Sequence, residues 1–388
     1  MTDTEERPEP PRLIEPPRLR TDEDRTATRL ELFFDLAYVL VVGELSTAFA
    51  KDLTWHGLLV FSALFTVTWW SWVTTTLYAN RFDTNDVPYK LAKLGLTFAI
   101  VVMAAAASRA TAGDAAYFVA AYVATRVVLL VLYARAYRHV PDARPTMRFY
   151  LAGAVAGAGL WSMSLLFSGP PMYVLWALGV LCEAFAPLLA TRFGGSIPLH
   201  EEHLPERFGL FAILVLGESI ASTVVSLHDT DWRLMSFVMA VVVFVVTAAL
   251  WWSYFELGAA AANQRLIDED SQSNSSHDRF VYGHLPVVMG LTAVGIGVEQ
   301  FILHPGDGLS AAGRLILCGG TAVFLIGVAL VMAGTARRWS AAWPWPTLAI
   351  PVVAGIGFAG GLPPMVTAVT LAVVLIFVVI TGIRAQSR

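Results

Sequence analysis

Residues 30–46, LELFFDLAYVLVVGELS, constrain the chain most, because a membrane-length apolar run here carries Glu31, Asp35 and Glu44. An ionised side chain at the centre of a bilayer helix costs about 2.5–3.5 kcal/mol on insertion scales, so such acids need partners or a watery cavity. A second copy at residues 204–220, LPERFGLFAILVLGESI, aligns with the first without a gap. Phe34/Phe208, Gly43/Gly217 and Glu44/Glu218 coincide in that alignment. A shared acid after a shared glycine is harder to reach by chance than a shared Leu or Val.

Apolar runs of about 20 residues recur along the whole chain, and each is long enough to cross a ~30 Å hydrocarbon core as a helix. The composition, 56% hydrophobic and 14% charged over 388 residues, agrees with a polytopic membrane protein and excludes a set of ordinary soluble domains. The runs do not alternate as barrel strands would. Twelve transmembrane helices are expected, at roughly 30–50, 55–78, 88–107, 114–136, 147–167, 172–190, 204–227, 232–256, 279–302, 310–333, 343–360 and 363–383. Cys182 and Cys318 both fall inside apolar segments, so they form neither a disulfide framework nor a metal motif.

Positive charge sets orientation in such a chain. Threading twelve crossings with the N-terminus inside puts nearly all of the 26 Lys and Arg on the cytoplasmic side. Only Lys51, Arg109, Arg233 and Arg314 remain outside, and Arg126 lies within a helix. Both termini are therefore expected in the cytoplasm. Residues 1–28, rich in Pro, Glu and Arg, read as a disordered cytoplasmic tail. Trp69-Trp70-Ser71-Trp72 near the end of the second helix is echoed by Trp251-Trp252-Ser253-Tyr254 near the end of the eighth, and Tyr89 by Tyr282. Two tandem six-helix halves in parallel orientation follow, 29–190 and 204–388, joined by a linker at 191–203 and with a mobile cytoplasmic loop at 261–278. Trp doublets also mark the interfacial aromatic belt, which is the simpler account of the echo.

Glu31, Asp35 and Tyr38 are spaced i, i+4, i+7 and share one helix face. Glu44, nine residues beyond Asp35, is half a turn out of phase, so either the first helix faces protein on two sides or Gly43 breaks it. Arg207 and Glu218 share a face of the seventh helix, with His203 near and Glu206 in the first turn, where an acid complements the helix dipole. Glu183, Arg126, Tyr282 and His284 are further polar groups at depth. The candidate substrate- or proton-binding set is Glu31, Asp35, Tyr38, Glu44, Glu206, Arg207, Glu218 and His284, walling a polar cavity open to the cytoplasm. Ion pairing that pins helix ends is the competing account, above all for Glu206 and Arg207. No metal or cofactor is expected, since no His-x-x-x-His, acid-rich repeat, phosphate loop or nucleophile elbow is present.

ELFFDL at 31–36, HLPERFGLFAILVLGESI at 203–220 and YGHLPVVMG at 282–290 closely resemble the bacterial low temperature requirement protein A family. The resemblance implies a multi-pass protein of the bacterial inner membrane and carries over no catalytic residues. The family pattern usually follows FFDL with Val-Phe, where Ala37-Tyr38 stands here and adds a hydroxyl to the Asp35 face. A small-molecule transporter or permease is expected, proton-coupled through Glu44 and Glu218, with membrane lipids and a small solute as partners and no nucleic acid. Two alternatives stand beside it: a membrane-embedded enzyme acting on a lipid or isoprenoid, and a non-catalytic membrane-stress or scaffold protein.

Overall fold

Backbone polar groups find no water in a hydrocarbon core, so an apolar chain satisfies them within helices. The computed structural model describes residues 13–20, 27–111, 114–194, 203–259, 274–306, 309–335 and 345–386, and these form twelve α-helices. They are α1 (Arg29–Lys51), α2 (Trp55–Arg81), α3 (Val87–Ala106), α4 (Ala116–His139), α5 (Arg144–Ser164) and α6 (Pro170–Phe193). Then follow α7 (His203–Asp229), α8 (Leu234–Trp252), α9 (Asn274–Leu303), α10 (Ala311–Thr335), α11 (Trp345–Phe358) and α12 (Pro364–Gln386). The protein is an all-α polytopic membrane protein. Ten helices, all but α5 and α11, are long and apolar enough to cross a membrane. The 14 residues of α11 rise only about 21 Å at 1.5 Å each, short of a full crossing.

Local chemistry sets the boundaries. Thr28 and Glu31 close a capping box at the start of α1, Thr54 accepts from the Gly57 amide at the start of α2, and Asp86 accepts from Tyr89 at the start of α3. Prolines begin α5 and α6. Gly361, at φ +83°, turns α11 into α12 ahead of Pro363 and Pro364. The last turn of α8 widens into a π-helical segment, Ser253–Ala259.

Neighbouring helices recur at an offset of six. The contacts α1–α2, α1–α3, α3–α4, α4–α5 and α5–α6 reappear as α7–α8, α7–α9, α9–α10, α10–α11 and α11–α12. The seam between α9 and α10 is the tightest of these. Gly283, Gly290 and Gly297 on α9, seven residues apart, lie against Gly320, Gly327 and their neighbours on α10. A Cβ on Gly290 would stand 2.5 Å from the Phe324 amide nitrogen, so the two backbones touch. Most of α2 beyond Leu64 is buried, including Trp69, Trp70 and Trp72 at no more than 2% exposure. Those tryptophans are interior, whereas Trp251 and Trp252 are 39% and 43% exposed. The two doublets therefore occupy different environments, and only the second is placed as a belt would be.

Part of the stretch read as a disordered tail is docked. β1 (Arg18–Leu19) pairs antiparallel with β2 (Phe82–Asp83), which directly follows α2, and the Arg20 amide donates to the Arg81 carbonyl. The Glu15 amide donates to Asp86 at 3.0 Å, and Arg135 of α4 grips both Asp86 and the Glu15 carbonyl. Composition alone missed this because two backbone rungs and one arginine clamp suffice to order so short a segment. Residues 1–12 and 21–26 of the tail, most of the linker at 191–203 and much of the loop at 261–278 lie outside the described residues.

Two predictions follow from this packing. Gly290→Ala should destabilise the protein by about 1–3 kcal/mol through overpacking. Gly319→Ala, on the same pair of helices but with open space around it, should be neutral or slightly stabilising. Thermal unfolding in one detergent compares them, and equal losses would refute the seam. Burial of Asp86 would raise its pKa, but the Arg135 hydrogen bond and the Glu15 and Tyr89 amides outweigh it and hold the carboxyl below its ordinary 3.8. A depressed acid stabilises above its unfolded pKa and loses that contribution as pH falls through the folded value. Protease sensitivity at residues 13–20 should thus stay constant from neutral pH down to about 4 and rise only below it, while Asp86→Asn should expose the segment at neutral pH.

Candidate functional site

Helical periodicity turns Glu31, Asp35 and Tyr38 to the interior, at 3%, 0% and 0% exposure. On α7 the same periodicity buries His203, Arg207, Phe208 and Phe211. The two faces meet. Arg207 Nη2 donates to Asp35 Oδ1 at 2.7 Å, and Trp72 Nε1 of α2 donates to the same oxygen at 2.8 Å. Trp72 is held in place by Phe211, stacked at 4.3 Å, and by the edge of Phe208 at 4.9 Å. His203 Nε2 stands 3.8 Å from Glu31 Oε2, which also accepts from the backbone and hydroxyl of Thr28. Lys93 of α3, 1% exposed, places Nζ 3.8 Å above the centre of the Phe34 ring.

The pairs Glu31/His203, Asp35/Arg207 and Gly43/Glu218 advance together along both chains, so α1 and α7 lie side by side in the same direction. At the far end of this contact Gly43 leaves room for the Glu218 carboxylate, whose Oε2 would be 3.3 Å from an added Cβ. Glu218 is half-buried there. Glu44 does not join it. α1 runs unbroken through Gly43, and Glu44, out of phase with Asp35, is exposed. Neither a break at Gly43 nor protein on both sides of α1 is needed. Glu206, partly buried, accepts from the Ala27 amide at 3.3 Å and so ties the entry to α1 onto α7.

His284 is a packed histidine. With the proton on Nδ1, it donates to the Phe280 carbonyl at 2.7 Å, and Nε2 accepts from the Tyr254 hydroxyl at 2.8 Å. Phe208 and Phe280 flank the ring. Both ring nitrogens are used, which favours a structural role. Among the described residues no group of three or more His, Cys, Asp and Glu is arranged to hold a metal ion.

A second buried ion pair lies beside the first. Arg126 Nη1 of α4 meets Glu183 Oε2 of α6 at 2.8 Å, and that oxygen also accepts from Tyr122 at 3.0 Å. Arg126 spends all three nitrogens: Nε on Thr125, Nη1 on Thr74 and Glu183, Nη2 on Ser71. Ser71 also accepts from the Tyr38 hydroxyl at 3.0 Å, so adjacent residues of α2, Ser71 and Trp72, reach the two pairs. Arg207, by contrast, spends only Nη2, and among the described residues Nε, Nη1, Asp35 Oδ2 and Lys93 Nζ have no hydrogen-bond partner. The spacing rules identified the first pair's residues but not Lys93, which falls on the buried stripe of α3 with Leu96, Thr97 and Ile100. That stripe was the available signal.

Breaking either pair from one side leaves an uncompensated charge, at about 3–5 kcal/mol. Asp35→Ala and Glu183→Ala should each lower the unfolding midpoint strongly, and Asp35→Leu combined with Arg207→Leu should recover most of the first loss. A Cβ at Gly157 of α5 would collide with the Glu183 carboxylate, so Gly157→Ala should mimic Glu183→Ala. Double-mutant cycles read from thermal unfolding test this, and additive losses at positions 35 and 207 would show that the pair contributes nothing.

Known proteins agree with the sequence motifs. A protein of Rhizobium meliloti (strain 1021), described only as uncharacterised, is 29% identical over 323 residues, which cover 79% of this chain and 77% of the relative. No solved structure matches the chain. The model of the bacterial low temperature requirement A protein (LtrA) family matches residues 26–380, which takes in all the helices from α1 to α11 and most of α12. The chain belongs to the bacterial low temperature requirement A family.

Proposed function

We propose that the protein is a transporter or permease of a small molecule in the bacterial inner membrane, with the α1–α7 contact as its working element. The observation that carries this reading is the incomplete ion pair between Asp35 and Arg207, buried where two look-alike helices meet. A buried charge in a bilayer marks a solute or ion path more often than a structural tie, because apolar packing would hold the helices at lower cost. The recurrence of helix neighbours at an offset of six supports two tandem halves, 29–190 and 204–388, and the parallel course of α1 and α7 agrees with halves of the same orientation. The Lys and Arg distribution supports both termini in the cytoplasm. Proton coupling is assigned to Glu218, half-buried at Gly43, and to the exposed Glu44.

A lipid or isoprenoid substrate is the second reading, and one feature favours it. A cleft of about 470 Å³ lies between α2 and α6, lined by Leu59, Val60, Leu64, Trp176, Val180 and Leu181, with His56 and Thr111 as polar groups. Its apolar lining suits a hydrocarbon tail.

Reconstituted in proteoliposomes under an imposed pH gradient, the wild type should accumulate its solute, and Asp35→Asn should reduce flux at least tenfold. Glu218→Gln should abolish dependence on the gradient while leaving downhill flux. Unchanged flux in the Glu44→Gln, Glu218→Gln double variant would remove the coupling role. A tightly held lipid found by mass spectrometry, lost on Leu64→Trp, would favour the second reading.

A further inference from the structure

Arg207 and Lys93 are both 1% exposed, and both carry N–H groups that the described residues leave without an acceptor. The count is lopsided. Three nitrogens, Arg207 Nε, Arg207 Nη1 and Lys93 Nζ, have unused donors, against a single unused acceptor, Asp35 Oδ2. Leaving a buried donor unmade costs about 1–3 kcal/mol, and more for a charged group, so three around one centre are a standing cost in the absence of a ligand.

The neighbouring pair shows that the fold can avoid this cost. Arg126, equally buried, finds four oxygen partners from Ser71, Thr74, Thr125 and Glu183. Among the described residues no hydroxyl hydrogen-bonds Arg207, and Trp72, which shares its acid, packs on the apolar rings of Phe208 and Phe211. Lys93 rests on the face of Phe34 rather than on an oxygen. Among the described residues no oxygen hydrogen-bonds Arg207 Nε, Arg207 Nη1 or Lys93 Nζ.

We infer that Arg207 and Lys93 bind a small oxyanion, a carboxylate or phosphate that also carries an O–H or N–H donor for Asp35 Oδ2. This deepens the transport reading and rests on it for the step from bound anion to carried solute. An oxyanion offers the several acceptors that the two cations lack, and its donor engages the one idle carboxylate oxygen. Glu31 and Asp35 already balance Lys93 and Arg207, so the anion enters by competing with Asp35 for the guanidinium, which loosens the tie between α1 and α7.

The test uses the full chain in phosphatidylcholine nanodiscs, titrated with inorganic phosphate and with lactate, each of which carries a donor, and with acetate, which does not. Calorimetry and the fluorescence of Trp72, taken as the difference from Trp72→Phe, report binding. Saturable binding of phosphate or lactate that is weakened at least tenfold by Lys93→Gln and by Arg207→Gln is expected, with acetate weaker. Arg207→Lys, which keeps the charge and the fold, should bind with intermediate affinity. Absence of saturable binding to the wild type, or equal affinity in Lys93→Gln, overturns the assignment. If phosphatidylglycerol nanodiscs abolish phosphate binding, a lipid headgroup is the occupant and the free-solute assignment falls. Binding without flux in proteoliposomes would keep the anion site and end the transport reading. Flux indifferent to phosphate and lactate would end the anion assignment and keep transport.

Discussion

The interior of this fold is arranged around charge that cannot be left bare. Two arginines and two acids, each at most 4% exposed, sit inside helices built for a medium that penalises them. Pairing offsets that cost and links helices: Asp35 with Arg207 ties α7 to α1, and Arg126 with Glu183 bridges α4 and α6. Helix association in lipid has little hydrophobic drive of its own. Directional polar contacts therefore choose partners that a set of similar apolar surfaces would leave interchangeable. α2 joins the two pairs the same way, since its adjacent residues Ser71 and Trp72 each reach one of them.

The α1–α7 contact breaks the likeness of the two segments that form it. Aligned by sequence, Asp35 corresponds to Gly209 and Arg207 to Phe33, so the ion pair joins unlike positions and occurs once. Phe33, the counterpart of Arg207, is 51% exposed. The shared Gly-Glu motif diverges as well. Glu218 packs at Gly43, while Gly217 has open space around it and Glu44 points outward. Equal motifs thus stand in unequal surroundings.

Much of this was readable in the chain. The apolar runs located all twelve helices, because length and hydropathy decide helix existence in a bilayer. Phase along α1 separated Asp35 from Glu44 correctly, yet the consequence, burial of one and exposure of the other, needed the neighbours. Partner choice was not legible: nothing in the spacing of residues 35, 72 and 207 says that they converge, since tertiary proximity of helices far apart in sequence has no local signal. Counting positive charge by side places Lys93 with the cytoplasmic residues, and only its register with Leu96 and Ile100 marks it as inward. Residues 18 and 19 escaped for the opposite reason, as a Pro-rich composition says nothing of two ladder rungs.

The two buried arginines separate structure from function more sharply than any motif does. Both sit at 1% exposure and both face an acid at under 3 Å, so desolvation treats them alike. Arg126 is completed by the wall, with every nitrogen engaged, and so ties α2, α4 and α6 into a unit in which any movement breaks several bonds together. Arg207 holds its acid by one bond. A rearrangement of α7 against α1 thus gives up a single strong contact, and a ligand able to replace it lowers even that barrier. The many-bonded pair lies within α2, α4 and α6, and the single-bonded pair joins α1 to α7, so the second contact is the one that a movement between helices gives up first.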